Sequence, residues 1–389
     1  MKICLVVANF WPGWGGAERQ CQLLARTLTR YGHEVVVLTR GQRGLPAAER
    51  IDGVAVRRAG AFGNGILRSL VWTLTATAWL RRHGRQFQII QCYQLLSPSH
   101  VGLLGRCREN GQATILRPAC SGPYGDVAEV SRLPLTEMRR RLLRTADAFV
   151  TLTGAIEAEL SAFGIAGVPF YRIPNGVDSV VFSPATAEER KTLRARFGLP
   201  AERVLCAFVG RLTPQKNPEL LIEAWSRCSL SQATLVIVGD GPLRSRLEQR
   251  AGSLPASGHV RFTGAITDVA AFVRATDLVV LPSSAEGMSN AMLEAMACGV
   301  PVIATDVGGI QEMLGGGGRA GWVVPADAPE ALATAITTAM GSAELRREVG
   351  AVARGIALER YDIRRVASQH LAAYAELLSR PGSGGPPRD

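Results

Sequence analysis

Lysine is almost missing from this chain. Only Lys2, Lys191 and Lys216 occur in 389 residues, and the rest of the 44 basic residues are arginines. A lysine inside a motif therefore stands out. The eight cysteines (4, 21, 92, 107, 120, 206, 228 and 298) form no C-x-x-C pair and lie scattered in apolar segments. That pattern suits reduced core thiols and argues against a disulfide framework or a zinc site. No apolar run is long: the longest, residues 69–80, is interrupted by Thr73, Thr75 and Thr77. A bilayer span needs about 20 consecutive apolar residues. Aromatics make up 6% and are not interleaved with basic residues, so base stacking on nucleic acid is excluded. No leader pattern opens the chain, since residues 2–8 read as a strand. The expected compartment is the cytoplasm.

What is present points to a large α/β enzyme. The length favours two domains, and 47% hydrophobic content supplies their cores. The net charge of +11 is lopsided. Residues 1–178 hold 22 Lys+Arg against 12 Asp+Glu (+10), and residues 179–389 hold 22 against 21 (+1). An anionic membrane face or an anionic acceptor would be drawn to the first half. Arg132, Arg139, Arg140, Arg141 and Arg144, with Leu133, Leu135, Met138, Leu142 and Leu143, are expected on one amphipathic helix. Such a helix suits either a membrane surface or a solvated face.

Both halves alternate strand-like and helix-like segments. Strands are expected at 2–8, 34–39, 88–92, 113–116 and 148–152, and a helix at 17–31 that stops at Gly32. In the second half they are expected at Val204–Val209, 234–238, 259–262, Leu278–Leu281 and 301–304. Helices at 219–227, 243–249 and 289–297 fall between, the last ended by Gly299. Continuous Val/Ile/Leu strands separated by helices mark parallel sheets covered on both faces. The fold class is α/β with two Rossmann-like doubly wound domains, joined near the turn-rich residues 173–178.

Five places carry chemistry. Gly13, Gly15 and Gly16 link the first strand to its helix, where a helix N-terminus offers N–H groups to an anion. Their spacing is not that of the dinucleotide fingerprint. Arg211 and Lys216 follow a strand, at the edge where doubly wound sheets bind ligands, and suit a diphosphate. Asp240 and Pro242 read as cap and first turn of the next helix. Glu286 follows a buried strand and Glu294 lies on the next helix, eight residues on. That carboxylate pair suits several hydroxyls of one ligand, and Gly287, Met288, Ser289 and Asn290 between them offer backbone N–H groups. Glu312, after Gly308-Gly309, suits a solvated or a ligand-binding carboxylate equally. Phosphate-directed cations beside hydroxyl acceptors point to a sugar nucleotide.

These motifs resemble those of the family 4, or group 1, glycosyltransferases: GGAERQ at 15–20, PNGVD at 174–178, VGRLTPQKN at 209–217, VGDGPLR at 238–244 and the E-x7-E block at 286–294. The resemblance implies the GT-B fold, two Rossmann-like domains facing across a cleft. Residues 1–176 would form the acceptor-side domain, with a C-terminal helix at 362–378 packing back on it. Residues 177–361 would bind the nucleotide sugar, and 379–389 would form a disordered tail. Arg211, Lys216 and Glu286 would be catalytic. Gly15, Gly16, Gly287, Met288, Ser289, Asn290, Glu294 and Gly264 would contact the donor, Glu294 through the ribose and Gly264 near the base, and Asn175 would bind substrate. Many members carry a histidine just after the strand at 113–116. Residues 117–126 contain none, and the nearest is His100. Either Cys120, Ser121 or the local backbone replaces it, or the acceptor class differs; Tyr124 and Asp126 would meet the acceptor.

The implied reaction moves a sugar from a nucleoside-diphosphate sugar, UDP- or GDP-linked, to an acceptor hydroxyl, with retention and without a metal. The acceptor would be lipid-linked or saccharide, in cell-envelope or exopolysaccharide synthesis, with the protein cytoplasmic and open to peripheral contact with the inner face of the membrane. Domain closure would exclude water. Two alternatives stand beside it: a disaccharide phosphorylase or synthase on the same fold, and a non-catalytic sugar-nucleotide-binding partner.

Overall fold

The computed structural model describes residues 1–12, 15–60, 64–95, 112–254 and 259–380. The chain divides into two compact units, Met1–Gly176 with Ile363–Asp389, and Val177–Asp362. His100 and residues 381–389 lie outside the described residues. Of the expected tail, Ser379 closes a helix and Arg380 bonds to Glu376.

The first unit is built on β1 (Lys2–Val7), β2 (Glu34–Arg40), β3 (Ala48–Ile51), β4 (Val54–Ala59), β5 (Ile89–Tyr93), β6 (Ala113–Arg117), β7 (Ala148–Thr151) and β8 (Phe170–Arg172). Their order across the sheet is β3-β4-β2-β1-β5-β6-β7-β8, and only β3 and β4 pair antiparallel. Ile3 to Val7 are all fully buried. Successive strand residues point to opposite faces, so both faces of β1 are covered. The chain builds outward from β1 to β2 and β4, then restarts on the other side at β5. The topological switch therefore lies between β1 and β5.

The second unit carries β9 (Val204–Val209), β10 (Ala233–Val238), β11 (Val260–Gly264), β12 (Leu278–Leu281), β13 (Val302–Thr305) and β14 (Trp322–Val324), in the order β11-β10-β9-β12-β13-β14. All pairings are parallel. Its switch lies between β9 and β12.

The chain leaves the first unit at Gly176 and returns at Ile363. A Cβ on Gly176 would stand 2.6 Å from Ile363 Cδ1 and 3.1 Å from Ile363 Cα, so glycine is required where the returning helix begins. That helix, Ile363–Ser379, buries Val366, Ala367, Tyr374 and Leu377 in the first core, and Tyr374 Oη donates to Gln91 Oε1 at 2.8 Å. In the second unit Val177 forms an isolated bridge with Asp362 and donates to the Tyr361 carbonyl at 2.8 Å.

Three local expectations need correction. The β3–β4 hairpin turns at Asp52 and Gly53, both with positive φ, and was not foreseen. The arginine-rich segment is two short helices, Asp126–Arg132 and Thr136–Leu143. Pro134 forces Leu133 out of the helical region, to ψ 149°, and breaks the continuous amphipathic face. Asp240 does not cap a helix. The helix starts later, at Arg244, and the Asp240 carboxylate accepts from its neighbour Gly241 N and from Arg244 Nη1.

Candidate active site

The second unit gathers four loops at the carboxyl edge of its sheet. The loop after β9 ends in a 3-10 turn, Pro214–Lys216, and then Asn217 takes a left-handed conformation. Asparagine tolerates that conformation, and its side chain caps the helix Pro218–Ser226. β12 neighbours β9 across the switch, so its loop runs alongside. Ser284 N donates to the Gln215 carbonyl at 2.9 Å, and Gln215 Nε2 to the Ala285 carbonyl at 3.3 Å. Next to them Lys216 Nζ meets Glu286 Oε1 at 2.6 Å, and Ser283 Oγ donates to the same oxygen at 2.7 Å. Glu286 is only 5% exposed. A buried carboxylate needs such partners, because desolvating an isolated charge is expensive.

The loop after β10 lies directly against the loop after β9. Gly210 N donates to the Val238 carbonyl at 3.0 Å and Leu212 N to the Asp240 carbonyl at 2.9 Å. A Cβ on Gly239 would fall 1.8 Å from the Gly210 oxygen, and one on Gly241 2.5 Å from the Leu212 oxygen. The glycines of VGDGP thus admit the backbone of the GRL loop. Gly264, ending β11 at φ +72°, accepts from Gly239 N at 2.9 Å and completes the row.

The structure thus brings Lys216, Glu286 and Ser283 into contact and lays Gly264 and Arg211 on adjoining loops. Arg211 is exposed, and its guanidinium makes no hydrogen bond or ion pair among the described residues. Gly287, Met288 and Ser289 are buried between β12 and the helix Asn290–Ala297, and Ser289 makes no side-chain cap bond there. Glu294, one turn into that helix, is 6% exposed. Glu312 is on the solvated surface of the short helix Ile310–Met313.

The remaining candidates belong to the first unit, also at carboxyl ends of strands. Gly15 is the N-cap of the helix Gly16–Arg30, and a Cβ there would stand 2.1 Å from Glu18 Oε2. Gln20 in the same motif bonds twice to Gly176, through Nε2 to the carbonyl and Oε1 to the N–H, each at 2.8 Å. Cys120 and Ser121 follow β6; Ser121 is buried and Cys120 half-buried. Tyr124 is 45% exposed. Asn175 is buried, and its Oδ1 accepts from Arg117 Nη2 at 2.6 Å, so its side chain faces the interior of the unit. Asp126, expected at the acceptor, is a correction: its carboxylate is buried and taken up by backbone N–H groups of Leu95, Ala119 and Cys120.

Cations and hydroxyl acceptors converging at a switch point suit an anionic, polyhydroxylated ligand. Comparison with known proteins decides the family. Residues 14–180 match Glycosyltransferase Family 4, and residues 189–355 match Glycosyl transferases group 1. A GDP-mannose-dependent alpha-mannosyltransferase of Mycolicibacterium smegmatis is 31% identical over 375 residues, which cover 92% of this chain and 93% of that protein. A D-inositol 3-phosphate glycosyltransferase of Kineococcus radiotolerans is 30% identical over 380 residues, covering 87% and 85%. The chain belongs to the family 4, group 1 glycosyltransferases. Anabaena HepE, solved with UDP-glucose, superposes with a TM-score of 0.79 at 21% identity, over 97% of this chain and all of that one. The fold of this glycosyltransferase is GT-B.

Sequence reading missed three groups in this glycosyltransferase. Ser283 shares Glu286 with Lys216, and only the strand-end geometry reveals it. Glu159 Oε1 accepts from Gly122 N at 2.7 Å and braces the loop after β6. Arg117 ends β6 fully buried, with its Cζ 5.1 Å from the centre of the Tyr93 ring and, among the described residues, no partner for its Nε. Burial holds its guanidinium below the ordinary arginine range.

Proposed function

We propose that this glycosyltransferase moves a sugar from a nucleoside-diphosphate sugar to an acceptor hydroxyl with retention of configuration. The observation that carries the reading is the meeting of Lys216 and Glu286 across the β9–β12 switch, with Arg211 on the same loop as Lys216. Arg211 and Lys216 bind the diphosphate and stabilise charge on it as the glycosidic bond breaks. They do this in place of a metal. Glu286 binds hydroxyls of the donor sugar, and Glu294 binds the ribose. Glu286 contacts Lys216, so one carboxylate orients the cation and the sugar together. The acceptor hydroxyl attacks from the face the diphosphate leaves, and its proton passes to a phosphate oxygen. UDP or GDP is the nucleotide; names among the relatives and neighbours include both GDP-mannose and UDP-glucose.

The acceptor, lipid-linked or saccharide, engages the first unit, in assembly of cell-envelope glycan or exopolysaccharide at the inner membrane face. Among the described residues no helix is long and apolar enough to cross a membrane. What supports surface contact is the helix Gly65–His83, which exposes Leu67, Leu70 and Leu74 on one side, ends in Arg81 and Arg82 and contains no acid. The test is incubation with UDP-glucose and GDP-mannose and a panel of saccharide and lipid-linked acceptors, with the product's anomeric configuration read by NMR. Retained configuration, unchanged by EDTA, supports the reading. An inverted product, EDTA inhibition or dependence on free phosphate contradicts it.

A further inference from the structure

Two guanidiniums of the first unit lie together at the carboxyl edge of its sheet without a carboxylate between them. Arg40 ends β2 and pairs in register with Ala59, the last residue of β4. Arg68 lies on the helix Gly65–His83. That helix runs close over the end of β4: a Cβ on Gly60 would stand 3.1 Å from Trp72 Cα, one helical turn beyond Arg68. Both arginines are half-buried. Burial first, and the charge of Arg68 second, hold the Arg40 guanidinium below the ordinary arginine range. Among the described residues neither arginine forms an ion pair. Arg40 is held instead by Asn9, just past β1, whose Oδ1 accepts from Arg40 Nη2 at 2.5 Å. Its Nε is enclosed and meets no acceptor among the described residues.

Arg58, on the neighbouring strand β4, is the contrast. It is buried, paired with the Glu49 carboxylate, and its Nη2 donates to the Trp11 carbonyl at 2.9 Å. Glu49 cancels the charge of Arg58, whereas Asn9 fixes Arg40 through a neutral oxygen and leaves its charge whole. Like charges held together and partly out of water disfavour one another. An anion at the same place removes that cost. A phosphate monoester carries about −1.5 to −2 charge at pH 7, which matches two cations, and guanidinium forks suit its oxygens. Doubly wound sheets take their ligands at this edge.

We propose that Arg40, Arg68 and Asn9 form a binding site for a phosphate monoester carried by the ligand of the first unit. In giving that group to the acceptor, the proposal rests on the reading above that the acceptor engages this unit. Arg40 and Arg68 hold the phosphate oxygens, and Asn9 aims Arg40 without neutralising it.

The test is calorimetric titration of the whole chain with inorganic phosphate, glucose 6-phosphate and glucose at fixed ionic strength. Sedimentation with phosphatidylcholine vesicles, with and without phosphatidic acid, accompanies it. All variants are made in an Arg211→Ala background, so that phosphate bound by the second unit does not contribute. Arg40→Gln and Arg68→Gln each remove one charge. Asn9→Asp keeps an acceptor for Arg40 but cancels its charge, so it should melt at or above the temperature of the background and still lose the anion. Phosphate should bind the background saturably and at least tenfold more weakly once any of the three changes is added. No saturable binding in the background would overturn the proposal, and so would unchanged affinity in folded Arg68→Gln or Asn9→Asp. Tighter binding of glucose 6-phosphate, with none of glucose, gives the phosphate to a soluble acceptor. Sedimentation that needs phosphatidic acid and fails in Arg68→Gln gives it to a lipid headgroup. If phosphate binds as expected while no phosphorylated acceptor takes up sugar from UDP-glucose or GDP-mannose on the wild type, the acceptor reading fails and the anion site stands.

Discussion

Replacing Lys216 by methionine tests the pair at the heart of the site. Methionine keeps the length of the side chain and removes the charge. Glu286, 5% exposed, then still accepts from Ser283 Oγ but has lost its cation. Breaking a buried ion pair by removing one partner costs roughly 3–5 kcal/mol. The Lys216 side chain is 22% exposed, so the lower end applies, about 3 kcal/mol. For a unit of this size each kcal/mol lowers the melting temperature by about 2–4 °C, giving a drop of roughly 6–12 °C. Lys216→Met/Glu286→Gln removes both charges and should recover most of that loss, because no buried charge is left unpaired. Calorimetry of the wild type, both single variants and the double variant reads the coupling directly. Turnover should fall by orders of magnitude in all three variants. If Lys216→Met melts within a degree of wild type, or the single losses simply add in the double variant, the pair is not the buried contact argued here.

Other expectations follow from single contacts. Gly239→Ala drives a methyl group to 1.8 Å from the Gly210 oxygen at φ +133°, so it should destabilise the second unit by more than about 4 kcal/mol, read as loss of its calorimetric transition. His370 is fully buried, and desolvation, with the charge of Arg117 second, holds its imidazole well below 6.5. The unfolded chain therefore binds the extra proton first, so stability is present above pH 6.5 and is lost as pH falls through it, by up to about 1.4 kcal/mol per pH unit. Denaturant melts from pH 7.5 to 5 should show that slope reduced in His370→Phe. Leu70→Glu with Leu74→Glu should abolish sedimentation with anionic vesicles and leave nucleotide binding unchanged; vesicle binding equal to wild type would remove this helix from the membrane contact.

Much of this was legible because the chemistry sits in short motifs at strand ends. Arg211, Lys216, Glu286 and Glu294 are polar residues next to continuous apolar strands, and a parallel sheet puts those ends on one edge. Their pairing was not legible, since whether β9 neighbours β12 is decided by crossover direction rather than by any local residue. The glycines of VGDGP read as turn formers, whereas the structure needs them because another backbone lies against them. The Ile51-Asp52-Gly53-Val54 hairpin carried a readable turn signal, but β3 is polar and half exposed, so its apolar pattern was weak. The short edge strands β8 and β14 have three residues each, too few to show a period. Asp126 looked like a surface acceptor contact because its partners, Leu95 and Ala119, are backbone groups that a sequence cannot display.

The most direct test of the central claim is calorimetric titration of the whole chain with UDP, GDP, ADP and dTDP, repeated on Arg211→Ala and Glu294→Ala. The account predicts saturable binding of one of these nucleotides, weakened at least tenfold in each variant while both remain folded. Binding of equal strength in wild type and both variants would contradict it, because the nucleotide would then sit somewhere other than the carboxyl edge of the second sheet.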